Sequence, residues 1–252
     1  MELKTALYLV PSELSHAPLA DVLPAGNLGV VRELRHFIVE NLRSARRFLR
    51  RWDPAFPIDE CLFHELNTHT DRAVISGWLD PLRRGTPMGL LSDAGCPAVA
   101  DPGSDIVAIA QKEGFQVIPL VGPSSILLAL MASGFNGQGF AFNGYLPQDP
   151  QARRQRILDL ERIAARAGQT QIFIETPYRN NAMVKALAET LRPDTLLCVA
   201  ADITDPDAES IRTRAAAKWS SARYDYDKRP AIFLIHVPQA APPAARKGGA
   251  RR

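Results

Sequence analysis

Serines, aspartates and glycines that could contact a ligand are concentrated in two loops near the middle of the chain. The first loop, 92–103, contains SDAGCP followed by DPG, and the second, 122–125, reads GPSS. Glycine lets a backbone approach a ligand closely, and the hydroxyls and free amides at a helix start can bind polar groups. Asp93 and Asp101 supply hydrogen-bond acceptors. We therefore predict a binding site here, with the alternative that the aspartates form local turns and Ser124 caps a helix.

A predicted strand precedes each of these loops. Short apolar runs at 89–91 and 115–121 are typical of buried parallel strands, and a helix from Ser104 to Gln111, with Ser104 as its N-cap, connects them. Two parallel strands joined by a helix end at the same edge of a sheet, where ligands of open α/β sheets usually bind. We therefore expect both loops to lie at one sheet edge.

Strand and helix patterns alternate along the whole chain, from TALYLV near its start to PAIFLIHV near its end. This alternation predicts two α/β domains, with the cleft between them as the natural small-molecule site. Pro147 and Pro150 mark the expected boundary. The predicted divisions are an N-terminal domain with a mostly parallel sheet over 1–147, a C-terminal domain with a mixed sheet over 148–239, and a disordered basic tail over 240–252.

The composition is that of a soluble globular protein, with 46% hydrophobic and 23% charged residues among 252. The formal charge of +3 does not by itself indicate a nucleic-acid partner, but five arginines crowd one predicted helix. Such a cluster suits a polyanionic partner, or it forms a solvated helix face. The clustered residues are Arg43, Arg46, Arg47, Arg50 and Arg51.

Several classes of protein are not supported by the sequence. The three cysteines are far apart and lack the spacing of metal ligands, so we expect neither a metal site nor a disulfide framework. No GxGxxG follows the first strand and no GxxxxGK[ST] occurs, which leaves dinucleotide and P-loop chemistry without support. We also expect no membrane partner and a cytoplasmic location, since neither a signal peptide nor a long apolar run is present.

Several motifs taken together resemble the tetrapyrrole methylase superfamily. Val39-Glu40-Asn41 with Arg43 is similar to an acidic-arginine segment of that family. The resemblance covers about residues 5–237 and is greatest for the branch that methylates a ribose 2′-hydroxyl of ribosomal RNA. The other matching motifs are SDAGCP at 92–97, DPG at 101–103, GPSS at 122–125, FxGYLP at 142–147, ETPYR at 175–179 and RPA at 229–231.

The resemblance implies two α/β domains with S-adenosylmethionine held in the cleft between them, a homodimer, and RNA or a ribosomal subunit as substrate. It also implies that Glu175 contacts the cofactor, and we consider this carboxylate the candidate catalytic base, with a structural ion pair to Arg179 as the alternative. The implied cofactor contacts are Leu9, Val10, Asp93, Ala94, Gly95, Cys96, Gly122, Ser124, Ser125, Glu175, Ala201 and Pro230.

The polarity of the cofactor adds a further expectation. A sulfonium cation is poorly placed at the positive end of a helix, so amides near Ser124 and Ser125 should face neutral or anionic parts of the cofactor. Backbone carbonyls between Asp93 and Cys96 should face the sulfonium.

The first strand departs from the family pattern. It runs into PSELSHAP at 11–18, where the family has a TPIGNL-like loop. This departure leaves two alternatives open, namely methylation of a small molecule such as a tetrapyrrole, and a non-catalytic regulatory protein that binds the cofactor.

Overall fold

The computed structural model describes residues 3–67 and 69–238, so the predicted tail over 240–252 lies outside the described residues. The chain divides into two compact units. One comprises Met1–Leu128 with Asp202–Glu209, and the other comprises Ala129–Ala201 with Ser210–Arg252. Each unit contains one five-stranded sheet.

The first unit is built on a wholly parallel sheet, which confirms the prediction for the N-terminal half. Its strands lie in the order β3-β2-β4-β1-β5, so β1 is flanked by the two strands that precede the candidate loops. The strands are β1 (Ala6–Val10), β2 (His36–Val39), β3 (Leu62–Glu65), β4 (Met88–Leu91) and β5 (Gln116–Pro119).

Two apolar cores cover the two faces of this sheet. Successive side chains of a strand point to opposite faces, so Tyr8 and Val10 enter one core with Phe37, whereas Leu7 enters the other with Ile38. Because both faces are buried, the strands read as continuous apolar runs in the sequence.

The helices of the first unit pack on both faces of the sheet. The segment 71–83, expected as one helix, forms a 3-10 helix followed by a short α-helix, because Gly77 and Pro81 interrupt a regular helix. The helices are α1 (Leu19–Val22), α2 (Ala25–Val31), α3 (Leu42–Trp52), α4 (Asp80–Arg83), α5 (Ser104–Lys112) and the start of α6 (Ser125–Ser133), with 3-10 helices at Ile58–Glu60 and Ile75–Leu79.

Helix α5 begins differently from the prediction. Gly103, not Ser104, occupies the N-cap position, and no side chain caps the helix. Gly103 has a φ of 125°, and a Cβ at this residue would lie 2.8 Å from Cδ2 of Leu90. The loop before α5 therefore requires glycine, and Ser104 becomes the first helical residue.

The second unit contains the predicted mixed sheet, in the order β6-β7-β10-β8-β9. Strands β6 and β7 are parallel, and the other pairs are antiparallel. Strand β6 thus pairs in the second sheet, whereas the predicted boundary at residue 147 would assign it to the N-terminal domain. The strands are β6 (Phe140–Tyr145), β7 (Thr170–Ile174), β8 (Leu196–Ala201), β9 (Ser210–Ala215) and β10 (Ala231–His236), and the further helices are α7 (Pro150–Ala167), α8 (Asn180–Thr190) and α9 (Ala216–Trp219), with a 3-10 helix at Pro177–Arg179.

Helix α7 illustrates how the sequence specifies the second unit. Asp149 caps it by accepting a hydrogen bond from the Ala152 amide at 2.8 Å, and Gly168 ends it with a left-handed φ of 62°. Its buried Glu161 accepts a hydrogen bond from the Thr195 hydroxyl at 2.5 Å, and the Arg192 amide donates to the same carboxylate at 2.9 Å. The helix is therefore attached to the segment before β8 by polar as well as apolar contacts.

Among the helices in the described part of the chain, none combines the length and apolar character needed to cross a bilayer.

Candidate functional site

The two candidate loops lie at the carboxyl edge of the first sheet, as predicted. Loop 92–103 follows β4 and loop 120–124 follows β5, and both strands pair with β1 in parallel. The predicted contacts Leu9 and Val10 are the last residues of β1, with Leu9 half-buried and Val10 buried.

Hydrogen bonds join the segment after β1 to the first candidate loop. The Ser12 amide donates to the Gly95 carbonyl at 3.0 Å, and the Ser12 hydroxyl donates to the Ser92 carbonyl at 3.1 Å. The Ser92 hydroxyl also donates to the Gly95 carbonyl, at 3.1 Å. The Gly95 carbonyl therefore already accepts two hydrogen bonds, and the expectation that it faces a sulfonium is wrong for this carbonyl.

Two of the predicted glycines are required by packing within the protein. A Cβ on Gly122 would lie 2.3 Å from Cβ of Pro11, and one on Gly95 would lie 3.0 Å from Cδ2 of Leu14. Gly95 also has a φ of 73°, which disfavours other residues. These glycines let the loops fit against the segment 11–14, and their contact with a cofactor stays a prediction.

The rest of the unusual segment 11–18 is also held in place. Its Ser15 hydroxyl lies 3.0 Å from the Thr204 hydroxyl of the segment 202–209. Beside these loops, a cavity of about 500 Å³ is lined in part by Gly122, Pro123 and Thr204. A cavity of this size is within the range of small-molecule sites.

Carboxylates from three strands of the first sheet gather at the same edge. Burial raises the pKa of Asp101 to about 7, and the negative charges of Glu40 and Asp93 raise it further. Burial, followed by repulsion from Glu65, raises the pKa of Asp93. Burial and Asp93 likewise raise the pKa of Glu40, although a hydrogen bond from the Asp93 backbone lowers it in part. We call these four residues the acidic edge.

No cation of the described residues neutralises the inner part of the acidic edge. The carboxylates of Asp93 and Asp101 form neither a hydrogen bond nor an ion pair within residues 3–67 and 69–238. Glu65 differs, since it accepts hydrogen bonds from the Leu42 amide and the Asn67 side chain. Unpaired carboxylates with raised pKa values favour binding of a positively charged group.

Glu65 was not predicted from the sequence, and Glu40 was noted only as part of a motif. Both residues lie where an apolar strand ends, Glu40 directly after β2 and Glu65 as the last residue of β3. Polar residues at the ends of successive parallel strands share one edge of a sheet, so this position is the signal that could have identified them. Among the described residues, no group of three or more His, Cys, Asp or Glu side chains is arranged to hold a metal ion.

The serines of the second loop lie at the start of α6. The Ser124 hydroxyl accepts a long hydrogen bond of 3.4 Å from the Leu127 amide, and the Ser124 carbonyl accepts one from the Leu128 amide at 2.9 Å. Ser125 is the first helical residue. The structure thus shows Ser124 in its capping role, and a role of Ser124 and Ser125 in cofactor binding stays a prediction.

Cys96 and Ala94 complete the predicted contacts in the first unit. The Cys96 thiol donates to the Pro123 carbonyl at 3.4 Å, which connects the two candidate loops directly. Burial, followed by the charge of Asp101, raises the pKa of Cys96. Ala94 is exposed.

The three predicted contacts of the second unit share one end of its sheet. Glu175 follows β7, Ala201 ends β8 and Pro230 precedes β10. The strand register brings these ends together, since Ile232 pairs with Ile174 and Ala231 pairs with Ala201.

Glu175 forms the ion pair that was considered as an alternative to catalysis. Its Oε1 accepts hydrogen bonds from Arg179 Nε at 3.0 Å and Nη2 at 2.5 Å, and from the Thr176 amide at 2.7 Å. The Glu175 side chain is only 1% exposed. Its Oε2 is buried and has no hydrogen-bond partner among the described residues. One oxygen is therefore fixed by the protein, while the other remains available to a ligand.

Solved methyltransferases share this fold. Uroporphyrin-III C-methyltransferase from Thermus thermophilus, complexed with S-adenosyl homocysteine, aligns with a TM-score of 0.57 at 16% identity, covering 92% of this chain and 97% of its own. The methyltransferase CobJ aligns with a TM-score of 0.56 at 18% identity, covering 86% and 88%. The fold is therefore that of an α/β methyltransferase with two sheets.

Sequence comparison identifies the family. The family described as Tetrapyrrole (Corrin/Porphyrin) Methylases matches residues 21–218. Ribosomal RNA small subunit methyltransferase I of Xylella fastidiosa is 30% identical over 89% of this chain and 82% of its own length, and that of Vibrio cholerae is 28% identical over 91% and 76%. The chain belongs to the tetrapyrrole methylase family, and its enzyme class is methyltransferase.

The substitution Gly122→Ala tests the packing of the candidate loops. The added methyl group would overlap the ring of Pro11, so we expect the free energy of unfolding to fall by about 1–3 kcal/mol in urea titrations. Gly29→Ala is the control, because nothing lies within 4 Å of a Cβ at that helical position. Equal stability of Gly122→Ala and the wild type would show that the loops yield without cost.

Asp101 should give stability a specific pH dependence. Its pKa of about 7 in the folded protein exceeds its ordinary value of 3.8, so the folded state holds a proton that the unfolded state releases. The stabilisation is present at low pH and is lost as the pH rises through about 7. We expect Asp101→Asn to gain stability relative to wild type as the pH rises from about 4 to about 8 in urea titrations. A constant difference across this range would contradict the expectation.

Proposed function

We propose that this chain is an S-adenosylmethionine-dependent methyltransferase that modifies ribosomal RNA of the small subunit at a ribose 2′-hydroxyl, in the cytoplasm. The observation that carries the proposal is the similarity, over most of the chain, to relatives named ribosomal RNA small subunit methyltransferase I. The solved Thermus thermophilus relative is complexed with S-adenosyl homocysteine, the demethylated form of the proposed cofactor.

The residues of the first unit fit the charge of the cofactor. When bound, S-adenosylmethionine supplies an electrophilic methyl group on a positively charged sulfur. The unpaired carboxylates of Asp93 and Asp101 provide the negative charge that suits this cation and the cofactor's ammonium group. The amides at the start of α6, next to Ser124 and Ser125, suit its carboxylate.

Glu175 is the proposed acceptor of the hydroxyl proton in the second unit. Arg179 and the Thr176 amide hold Oε1, which orients the carboxylate and leaves Oε2 as the oxygen for a substrate hydroxyl. The leaving group of a sulfonium is already good, so the protein contributes chiefly by orienting the hydroxyl, and a base is useful as the proton departs. Ala201 and Pro230, at the same sheet end, are the other proposed contacts of this unit.

Two alternative functions have specific observations behind them. Structural similarity to a uroporphyrin-III methyltransferase suits a tetrapyrrole substrate, but the identity of 16% supports the fold alone. The altered segment 11–18 suits a non-catalytic, cofactor-binding regulator. Its hydrogen bonds to loop 92–103 show that the altered segment is built into the candidate site.

Ser124→Tyr tests the cofactor site, because a phenol ring would fill the space at the start of α6. We expect wild-type protein to bind S-adenosylmethionine in calorimetry and to transfer tritium from labelled cofactor to small ribosomal subunits, and Ser124→Tyr to lose both activities. Ser220→Tyr, at an exposed residue, is the matched control. Unaltered affinity in Ser124→Tyr would refute the site. Transfer only to an RNA-free cell extract would favour a small-molecule substrate, and binding without transfer would favour a regulator.

We also propose a homodimer, supported by exposed apolar side chains on and before α6. Met131 is 78% exposed, Leu127 is 50% exposed one helical turn earlier, and Val121 is 73% exposed. Exposed apolar groups of this kind mark protein contacts when they are contiguous. We expect the wild type to sediment as a dimer and Leu127→Glu with Met131→Glu to sediment as a monomer. Val74→Glu, at a residue 49% exposed, is the control, and a dimeric double variant would contradict the surface.

A further inference from the structure

Helix α3 carries five arginines on one face. At about 100° per residue, Arg43, Arg46, Arg47, Arg50 and Arg51 fall within an arc of roughly 140°. All five residues are exposed. The opposite face packs into the protein through Ala45, Phe48 and Leu49, which are buried. The helix therefore presents a continuous cationic face with no apolar residue buried beneath it left uncovered.

Only two of these arginines have a carboxylate partner. Arg46 pairs with Asp59 at 3.3 Å, and Arg51 pairs with Glu13 at 3.1 Å. Arg43 and Arg47 make no hydrogen bond or ion pair within the described part of the chain, and Arg50 donates only to the Pro54 carbonyl at 3.3 Å. We call Arg43, Arg47 and Arg50 the arginine surface.

The stability of α3 does not explain this surface. A cation in the first turn, such as Arg43, opposes the positive end of the helix dipole, and the first turn contains no acidic residue. Arg43 and Arg47 are also like charges four residues apart, an arrangement that destabilises a helix. A glutamate at either position would serve the helix better, so the arginines suit an external partner.

The arginine surface begins beside the candidate site. The amide of Leu42, the first residue of α3, donates to Glu65 of the acidic edge at 2.9 Å. Arg43 therefore lies at the carboxyl edge of the sheet, while Arg47 and Arg50 follow along the helix away from that edge.

We propose that the arginine surface binds the phosphate backbone of the RNA substrate and so holds the RNA next to the candidate site. This inference rests on the proposed function for the identity of the substrate. Guanidinium groups suit phosphates because their donors match the geometry of paired oxygens. RNA fits better than a membrane surface, because the apolar face of α3 is buried and has no side chain to insert into lipid.

The salt dependence of RNA binding tests the arginine surface. The probe is a fluorescein-labelled oligouridylate, and its affinity is measured by anisotropy over a series of salt concentrations. Each lost phosphate contact on a single strand lowers the slope of log K against log salt by about 0.7, so Arg43→Gln with Arg47→Gln and Arg50→Gln should lower it by about 2. The corresponding triple lysine variant should keep most of the slope, because it keeps the charges.

The control variant carries Arg154→Gln, Arg166→Gln and Arg223→Gln, three exposed residues of the second unit. Each triple glutamine variant takes the formal net charge from +3 to 0, so a difference between them reports position and not total charge. A lower slope in the α3 variant alone supports the proposal. An unchanged slope in the α3 variant, or an equal fall in both variants, overturns it.

Two further measurements separate this proposal from the proposed function. Calorimetric binding of S-adenosylmethionine should be the same in the α3 variant and in the wild type, which shows that the fold and cofactor site are intact. Tritium transfer to small ribosomal subunits should show a raised KM in the α3 variant with kcat largely retained. Active wild-type enzyme with an unaffected α3 variant overturns the arginine surface alone, whereas wild-type enzyme that never labels ribosomal subunits refutes the proposed function.

Discussion

The close contact between Gly122 and Pro11 is the constraint on which the candidate site of the first unit depends. It brings the segment after β1 against the loop after β5, and Ser12 then fixes the loop after β4 through two hydrogen bonds. Loops are ordinarily the most mobile parts of an α/β fold. Here their mutual packing holds the acidic residues and the start of α6 in a defined arrangement without any bound group.

The same contact explains how an unusual segment can coexist with conserved-looking chemistry in the loops. The residues PSELSHAP replace the loop expected from the family, yet Pro11, Ser12 and Leu14 each contact a glycine-containing loop. A change in this segment alters the surface around the loops more than it alters their backbone. The segment is thus a natural place for a difference in substrate without a difference in fold.

Local patterns in the sequence were sufficient for the sheets, but not for the contacts between loops. Buried parallel strands such as Met88–Leu91 have continuous apolar sequences, and the glycines and prolines after them end each strand visibly. The capping by Gly103 depends on Leu90, and the raised pKa of Asp101 depends on Glu40, a residue on another strand. Such effects come from residues distant in the sequence, so no local pattern contains them.

The boundary between the two units was difficult to predict for a similar reason. Strand Phe140–Tyr145 precedes the proline-rich segment that was taken as the end of the first domain, but it pairs with Thr170–Ile174. Strand pairing is decided by which edge is available and not by proximity to a linker. The site residues Glu175, Ala201 and Pro230 show the opposite case, because each marks the end of a strand that the sequence made recognisable.

The first unit separates two opposite charges along one helix. Glu40 lies just before α3, and the eleven residues of the helix extend about 16 Å from it. At physiological salt, charges are screened over about 8 Å, so the acidic edge acts on groups near Arg43 and only weakly on groups near Arg50. On the proposed function, a cation at the edge feels the carboxylates, while RNA phosphates farther along α3 feel the arginines. This separation lets one unit bind a positively charged cofactor and a polyanion without one repelling the other's binding site.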